Sequence, residues 1–444
     1  MNRSILRLAL PNIITNITVP LLGMVDMAIV GHLSSSHIGA IAIGTSIFNL
    51  IYWNFGFLRM GTSGFTAQAY GARKFDEVVR VLLRAATIAL AIAIILIVLQ
   101  RPIATLAKAI FNGSDTVMSM AISYFFIRVW AAPATLGLYA VKGWFIGMQN
   151  SKLPMWIAIF INVVNILCSL LFVLVLHWDI RGVALGTVIA QYSGLTVGLF
   201  FLFHNYGKML RRHIDKNFIR NTLRWNEMKH FFKVNGDIFL RTVCLAAVFT
   251  FITAESGRLS DDIMAIDALL LQFFTLFSYI MDGFAYAGES LVGRFIGARD
   301  RRRLVLSVRC LLAWGMLITV IFTVAYALFG QQFLMLFSND KALVASARPY
   351  MFWTQVIPVC GFAAFLFDGI FVGATASRTM RNSMFLATAA FFGIYYGLSY
   401  ALTISDTTTQ NNILWTSFMV YLATRGIAQG IMVHSEVYGR IPNA

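Results

Sequence analysis

The sequence predicts an all-α polytopic membrane protein, with twelve transmembrane helices in two pseudo-symmetric six-helix lobes. Three observations carry that reading. Apolar runs of about 20 residues, enough to cross a bilayer, recur along the whole 444-residue chain. The composition is 59% hydrophobic and 12% charged with mean hydropathy +0.74, too few polar groups to cover a soluble domain. One ungapped register also relates Gly31–Gly147 to Gly257–Gly373. A β-barrel is excluded because the runs are continuously apolar and do not alternate with period two.

The spans fall at roughly 8–30, 38–63, 82–106, 118–140, 153–176, 182–203, 236–255, 264–287, 305–329, 347–367, 384–404 and 411–433. The start, MNRSILRLAL, lacks a small-residue cleavage site and runs straight into an apolar stretch. It reads as the first transmembrane helix, not a removable signal peptide. The formal net charge of +16 is a topology signal, because the basic residues gather in alternate connections. Even connections hold Arg73, Lys74 and Arg80, then Lys152, a basic linker, Arg299 with Arg301, Arg302 and Arg303, and Arg378 with Arg381. Odd ones are poorer: SSSH, HWDIR and SDTTTQNN. Both termini are expected on the cytoplasmic side.

The longest basic segment, 204–233, includes Lys208, Arg211, Arg212, Lys216, Arg220, Arg224, Lys229 and Lys233. Anionic lipid or nucleic acid would suit such a run, but a cytoplasmic linker obeying the charge rule is the plainer reading. The repeat supports it. GHLS at Gly31–Ser34 meets GRLS at Gly257–Ser260, YGAR at Tyr70–Arg73 meets IGAR at Ile296–Arg299, and KGWFIG at Lys142–Gly147 meets DGIFVG at Asp368–Gly373. From 31 to 257, 70 to 296 and 142 to 368, the offset is 226 each time. The expected division is therefore an N-lobe (1–203), the linker (204–233) and a C-lobe (234–444). Six spans per half is an even number, so the halves are parallel repeats about an axis normal to the membrane. The pairs Gly143/Gly147 and Gly369/Gly373 read as close helix packing.

Soluble chemistry is largely absent. No GxxxxGK[ST] phosphate loop, HExxH pair or CxxC occurs. Cys168, Cys244, Cys310 and Cys360 lie in apolar spans as small buried residues. The histidines (His32, His37, His177, His204, His213, His230 and His434) fall mostly near span ends. No cofactor, metal or enzymatic activity is expected, and energy coupling would have to use an ion gradient.

Charges inside spans are then the functional candidates, since each costs about 2.5–3.5 kcal/mol at mid-bilayer on insertion scales. Asp26 stands in PLLGMVDMAIVGHL, six residues after Pro20. Pro20 lacks a backbone donor and frees the Asn16 carbonyl, so span 1 can bend there. The repeat partner of Asp26 is Ile252, so the helix position itself does not demand an acid. Desolvation favours the neutral form of a carboxyl, which suits proton exchange. Its candidate polar neighbours are Asn162 and Asn165 in span 5, three apart on one helix face, and Thr187 and Gln191 in span 6. Inter-helix hydrogen bonding alone would equally account for these.

The strings PLLGMVDMAIVGHL, FLRMGTSGFTAQAYGAR, DGFAYAGE and LFDGIFVGAT resemble the multidrug and toxic compound extrusion (MATE) family, in particular its DinF-like branch. The resemblance covers nearly the whole chain. It implies twelve helices in two lobes and export of organic, often cationic, compounds in exchange for protons or sodium ions. It matches Asp26 to the N-lobe coupling acid, Asn165 to a span 5 asparagine and Thr187 to a span 6 threonine of the same site. It also points to bending of span 1 near Pro11. The family's second N-lobe acid falls on Ser169 here. With one carboxylate, sodium loses compensating charge, which tilts the expectation towards protons.

The second half carries Asp237, Glu255, Asp267, Asp282, Glu289 and Asp368. Some family branches bind cations at C-lobe acids, but position alone does not transfer that role to Glu255, Asp267, Glu289 or Asp368. Arg59 in span 2 maps to Ala285, three residues from Asp282, so Arg59 and Asp282 are candidates for an inner-gate ion pair. The expectation is a monomeric secondary-active antiporter in the lipid bilayer, with small organic substrates and Asp26 as coupling carboxylate. The alternatives are sodium coupling, a lipid-linked precursor flippase of the same superfamily, and a non-transporting receptor or scaffold. Few mid-span arginines argue against the flippase, and the receptor gives no reason for Asp26.

Overall fold

The computed structural model describes residues 1–31, 35–111, 113–214, 216–338, 340–402 and 406–441. His32, Leu33 and Ser34 of the first motif and Ser405 of the last odd connection lie outside the described residues. The described chain is helical. Backbone donors and acceptors in hydrocarbon must be paired within the segment, and a helix does this without a partner.

The first half supplies α1 (Asn2–Gly31), α2 (Ser35–Asn54), α3 (Phe57–Gly71), α4 (Phe75–Val98), α5 (Gln100–Ile110), α6 (Asp115–Arg128), α7 (Ala132–Gly147), α8 (Lys152–Leu170), α9 (Asp179–His213) and α10 (Lys216–Thr222). The second supplies α11 (Trp225–Leu259), α12 (Asp261–Gly297), α13 (Arg301–Phe337), α14 (Lys341–Ala347), α15 (Met351–Gly373), α16 (Ser377–Ala401) and α17 (Thr407–Glu436). Eleven segments among the described residues are long and apolar enough to cross a membrane. The more polar 30-residue α17 follows them, opened by Asp406, whose carboxylate the Thr409 hydroxyl and the Thr408 and Thr409 amides hold below the usual range.

Several expected spans are longer and more broken than their apolar cores. Span 2 is interrupted at Phe55 and Gly56, where 3₁₀-type bonds replace the α-ladder (Gly56 N to Trp53 O, 3.2 Å). Span 4 passes through a 3₁₀ turn at Val129–Ala131, just before Pro133, which withholds a donor. Span 5 ends in a π-helical stretch, Leu171–Val175, closed by Leu176 N to Leu171 O at 3.0 Å. In contrast, α1 runs through Pro11 and Pro20 as one helix.

Two compact units emerge, Ile14–Asn235 and Met1–Ile13 with Gly236–Ala444. These limits differ from the expected 1–203, 204–233 and 234–444 in two ways. The first turns of α1 belong with the second half, where Gly283 receives Ala9 and Ile13 at close range. The basic linker folds into the first unit: Arg84 reaches the Thr222 carbonyl at 3.4 Å, Arg80 lies 5.2 Å over the Phe218 ring, and Phe65 stacks on Phe231.

The sequence repeat is also a repeat of backbone geometry. Left-handed φ values occur at Arg73 and Arg299 (57° and 55°), and at Gln149 and Thr375 (64° and 51°), each pair 226 apart. Each closes a helix with a six-to-one bond: Lys74 N to Ala69 O and Asp300 N to Phe295 O at 3.0 Å, Asn150 N to Phe145 O and Ala376 N to Phe371 O at 2.9 Å. The glycines repeat their contacts too. A Cβ on Gly143 would strike the Arg59 carbonyl, and one on Gly369 the Ala285 carbonyl. One turn on, Gly147 and Gly373 would meet the carbonyls of Ser63 and Glu289 at 2.7 and 2.5 Å. These glycines pack α7 on α3 and α15 on α12, as read from the sequence.

A side chain at these crossings must push backbone apart. Gly143→Val and Gly369→Val are each expected to destabilise by about 1–3 kcal/mol, read as a lower Tm in detergent. Gly207→Ala, where nothing lies within 4 Å, should be neutral or stabilise by up to about 1 kcal/mol.

Candidate functional site

Asp26 is buried on α1 at 5% exposure, and its neighbour Val25 packs against the core cluster of Ile29, Phe48, Phe125, Val173 and Val183. Ser169 on α8 donates its hydroxyl to Asp26 Oδ1 at 3.2 Å. Asn165, one turn earlier on the same helix face, donates Nδ2 to Thr187 Oγ1 at 3.0 Å, and the Thr187 hydroxyl donates to the Val183 carbonyl at 3.1 Å. Asn165 Oδ1 is buried without a partner. Asn162 donates to the Thr18 carbonyl at 3.1 Å, tying α8 to α1 two turns before the acid. Thus α1, α8 and α9 bring together Asp26, Ser169, Asn165 and Thr187, with Asn162 as a brace. Gln191 shares the face of Thr187 but makes no hydrogen bond among the described residues.

The site also contains a cation that the sequence reading passed over. Arg128, the last residue of α6, acts electrostatically on Asp26. It donates to the Tyr124 hydroxyl at 2.6 Å and rests 4.8 Å over the Phe48 ring, an arrangement that holds a guanidinium by both hydrogen bond and cation–π attraction. Its signal was the same as that of Asp26, a charge inside an apolar span. Among the described residues no group of three or more His, Cys, Asp or Glu side chains is placed to hold a metal.

The second unit handles its acids differently. Asp368 on α15 accepts from Arg241 on α11, Arg425 on α17 and Gln429 Nε2 at 2.9 Å, all buried. Asp237 pairs with Arg381 at 2.6 Å and accepts from Ser377 at 2.8 Å. Glu255 accepts from the Tyr395 hydroxyl at 2.6 Å and pairs with Arg258 at 2.7 Å. Asp267, 2% exposed, is held by neutral donors: the Ser256 hydroxyl, Asn411 Nδ2 at 2.9 Å and Trp415 Nε1 at 2.7 Å. Glu289 is buried at the α12–α15 crossing. Glu255 and Asp267 are therefore both partnered and buried. Arg59 and Asp282 belong to different units; Arg59 acts on Tyr139, and Asp282 acts on Arg425 and Tyr279.

Comparison with known proteins yields one family model, MatE, which matches residues 11–171 and 238–401. The chain is 36% identical over 430 residues to "DNA damage-inducible protein F" of Escherichia coli, covering 96% of this chain and 91% of that one. It is 22% identical over 398 residues to "Probable multidrug resistance protein NorM" of Neisseria meningitidis serogroup B, covering 88% and 85%. Among solved structures, "Crystal structure of MATE in the bent conformation" superposes with TM-score 0.87 at 17% identity, covering 99% of this chain and 96% of that one.

Removing one member of a buried ion cluster leaves the others desolvated and unpaired. Asp368→Leu alone should cost about 3–5 kcal/mol, seen as a large fall in Tm. Adding Arg241→Met and Arg425→Met should recover most of it, and a fully stable single variant would contradict the assigned cluster.

Proposed function

The chain belongs to the MatE family, and on that ground we propose that it is a secondary-active exporter of organic, often cationic, compounds. It exchanges them for protons by alternating access across the bacterial inner membrane, with both termini on the cytoplasmic side. The observation that carries this reading is the Asp26 carboxyl. It is buried inside a membrane span and held directly by one hydroxyl, at a position where the other half of the repeat has the buried Ile252.

The geometry suits a proton switch. While Asp26 is ionised, Ser169 donates to it and Arg128 balances its charge. When a proton arrives from outside, the carboxyl gains an O–H and Ser169 must turn from donor to acceptor. Arg128 then loses its counter-charge, and the N-terminal site loses its attraction for a cationic compound. Release of the proton inside restores the first state. Coupling requires only that the proton binds the loaded and empty proteins with different affinity. Asn165, Thr187 and Ser169 set the hydrogen bonds that change in this exchange.

A second reading, sodium coupling, is favoured by the unpartnered Asn165 Oδ1, which with Asp26, Ser169 and Thr187 makes an oxygen set on one face of α8. Efflux from proteoliposomes under an imposed pH or sodium gradient separates the two. Under a pH gradient the wild type should export and Asp26→Asn should not, with its Tm and elution unchanged. Efflux by Asp26→Asn at the wild-type rate removes Asp26 from the mechanism, and export driven by sodium alone transfers the site to that ion. The Arg59–Asp282 gate remains a proposal from the repeat: transport lost in Arg59→Asp or Asp282→Arg should partly return in the double variant, and no rescue sinks it.

A further inference from the structure

The first unit holds a second charge that the proton cycle does not use. Lys142 lies on α7, five residues before that helix ends at Gly147. Its neighbours Leu138, Ala140, Val141, Trp144 and Phe145 are buried. Thr135, Tyr139 and Lys142, spaced by four and three, stay partly exposed, so they form an open polar stripe along one face of the helix. Hydrocarbon does not accommodate such a stripe, since intramembrane lysines face a protein interior or a wet cavity.

Lys142 is desolvated by its surroundings, with no charge acting on it, and no hydrogen bond or ion pair holds it among the described residues. Gly143 packs on the Arg59 carbonyl, and Arg59 acts on Tyr139 of the same stripe. The repeat supplies a direct control. The counterpart of Lys142 is Asp368, which two arginines neutralise. The residues 226 before Arg241 and Arg425 are Thr15 and Leu199, neither of which bears a charge. The second unit therefore provides counter-ions for its buried acid, and the described residues of the first provide none for its lysine.

We propose that Lys142 binds an acidic group of the exported compound, a carboxylate, sulfonate or phosphate, with Tyr139 and Thr135 donating hydrogen bonds from the same stripe. This rests on the export function above and extends its substrates to amphipathic organic acids and zwitterions beside the cationic compounds. The complementary charge is the argument, because a cation retained at this depth without a protein partner is matched by an anion that arrives and leaves.

The test is binding without a gradient, which separates it from proton-driven efflux. Full-length protein in detergent is titrated with sulforhodamine and with the cationic rhodamine parent, read by fluorescence anisotropy. The ratio of sulforhodamine to rhodamine affinity should fall about tenfold or more in Lys142→Met, the loss expected for one charge-assisted bond, and return in Lys142→Arg. Thermal unfolding checks each variant; should Lys142→Met not fold, Lys142→Gln takes its place. An unchanged ratio overturns the proposal and makes Lys142 a snorkelling cation. Displacement of bound sulforhodamine by phosphatidylglycerol at equal affinity overturns it as well, because the occupant is then a lipid headgroup. If sulforhodamine binds through Lys142 but a pH gradient moves neither dye, the proton-antiport reading fails while the acid-binding site stands.

Discussion

The close crossing of α3 with α7, repeated by α12 with α15, is the contact on which the rest of each unit depends. Glycine at positions 143 and 369 lets a backbone carbonyl of the neighbouring helix approach where a Cβ would stand. Association in lipid lacks the hydrophobic drive available in water, so such van der Waals contact is a main source of helix–helix attraction. The crossing also decides which side chains share a depth. It brings Lys142 level with the Arg59 backbone in one half and Asp368 level with Ala285 in the other. The same backbone frame thus carries opposite charge in its two copies.

From that frame the two units diverge in how they settle buried charge. In the second, the buried Asp237, Glu255, Asp267 and Asp368 each have partners, and the strongest group is a carboxylate between two guanidiniums and an amide. Such a cluster is costly to assemble and more costly to break, which suits a fixed element. In the first, Asp26 has one hydroxyl and an arginine acting at longer range. A site with incomplete hydrogen bonding can change its protonation or ligand without dismantling a network. That asymmetry, and not the carboxylate alone, is the reason for placing the proposed proton exchange in the first unit.

Spans were legible from sequence because a membrane imposes one rule on every residue of a segment, and a sum over about 20 residues tolerates local noise. The repeat was legible because 226 recurred without a gap, and the left-handed turns at Arg73, Gln149, Arg299 and Thr375 follow the same register. Asp26 stood out as an acid in apolar surroundings. Arg128, Arg241 and Arg425 carried an equal signal inside the expected spans, but no local stretch says which acid or ring a long guanidinium side chain meets. The breaks at Gly56 and Val129 had weaker cues, since one glycine or proline within an apolar run does not announce a change of helix type.

Composition and spacing by themselves determined the fold class, the duplication and the single unmatched acid of span 1, because those properties are additive along the chain. Only tertiary structure decided that the Ser169 hydroxyl donates to Asp26 and that Arg128 acts on it. It also decided that Asp368 is neutralised while Lys142 is not, and that α1 changes units between Ile13 and Ile14. Those outcomes depend on which helix faces meet. Helix contact is governed by shape over many residues at once, so pairing between residues over a hundred positions apart is not written in any local stretch.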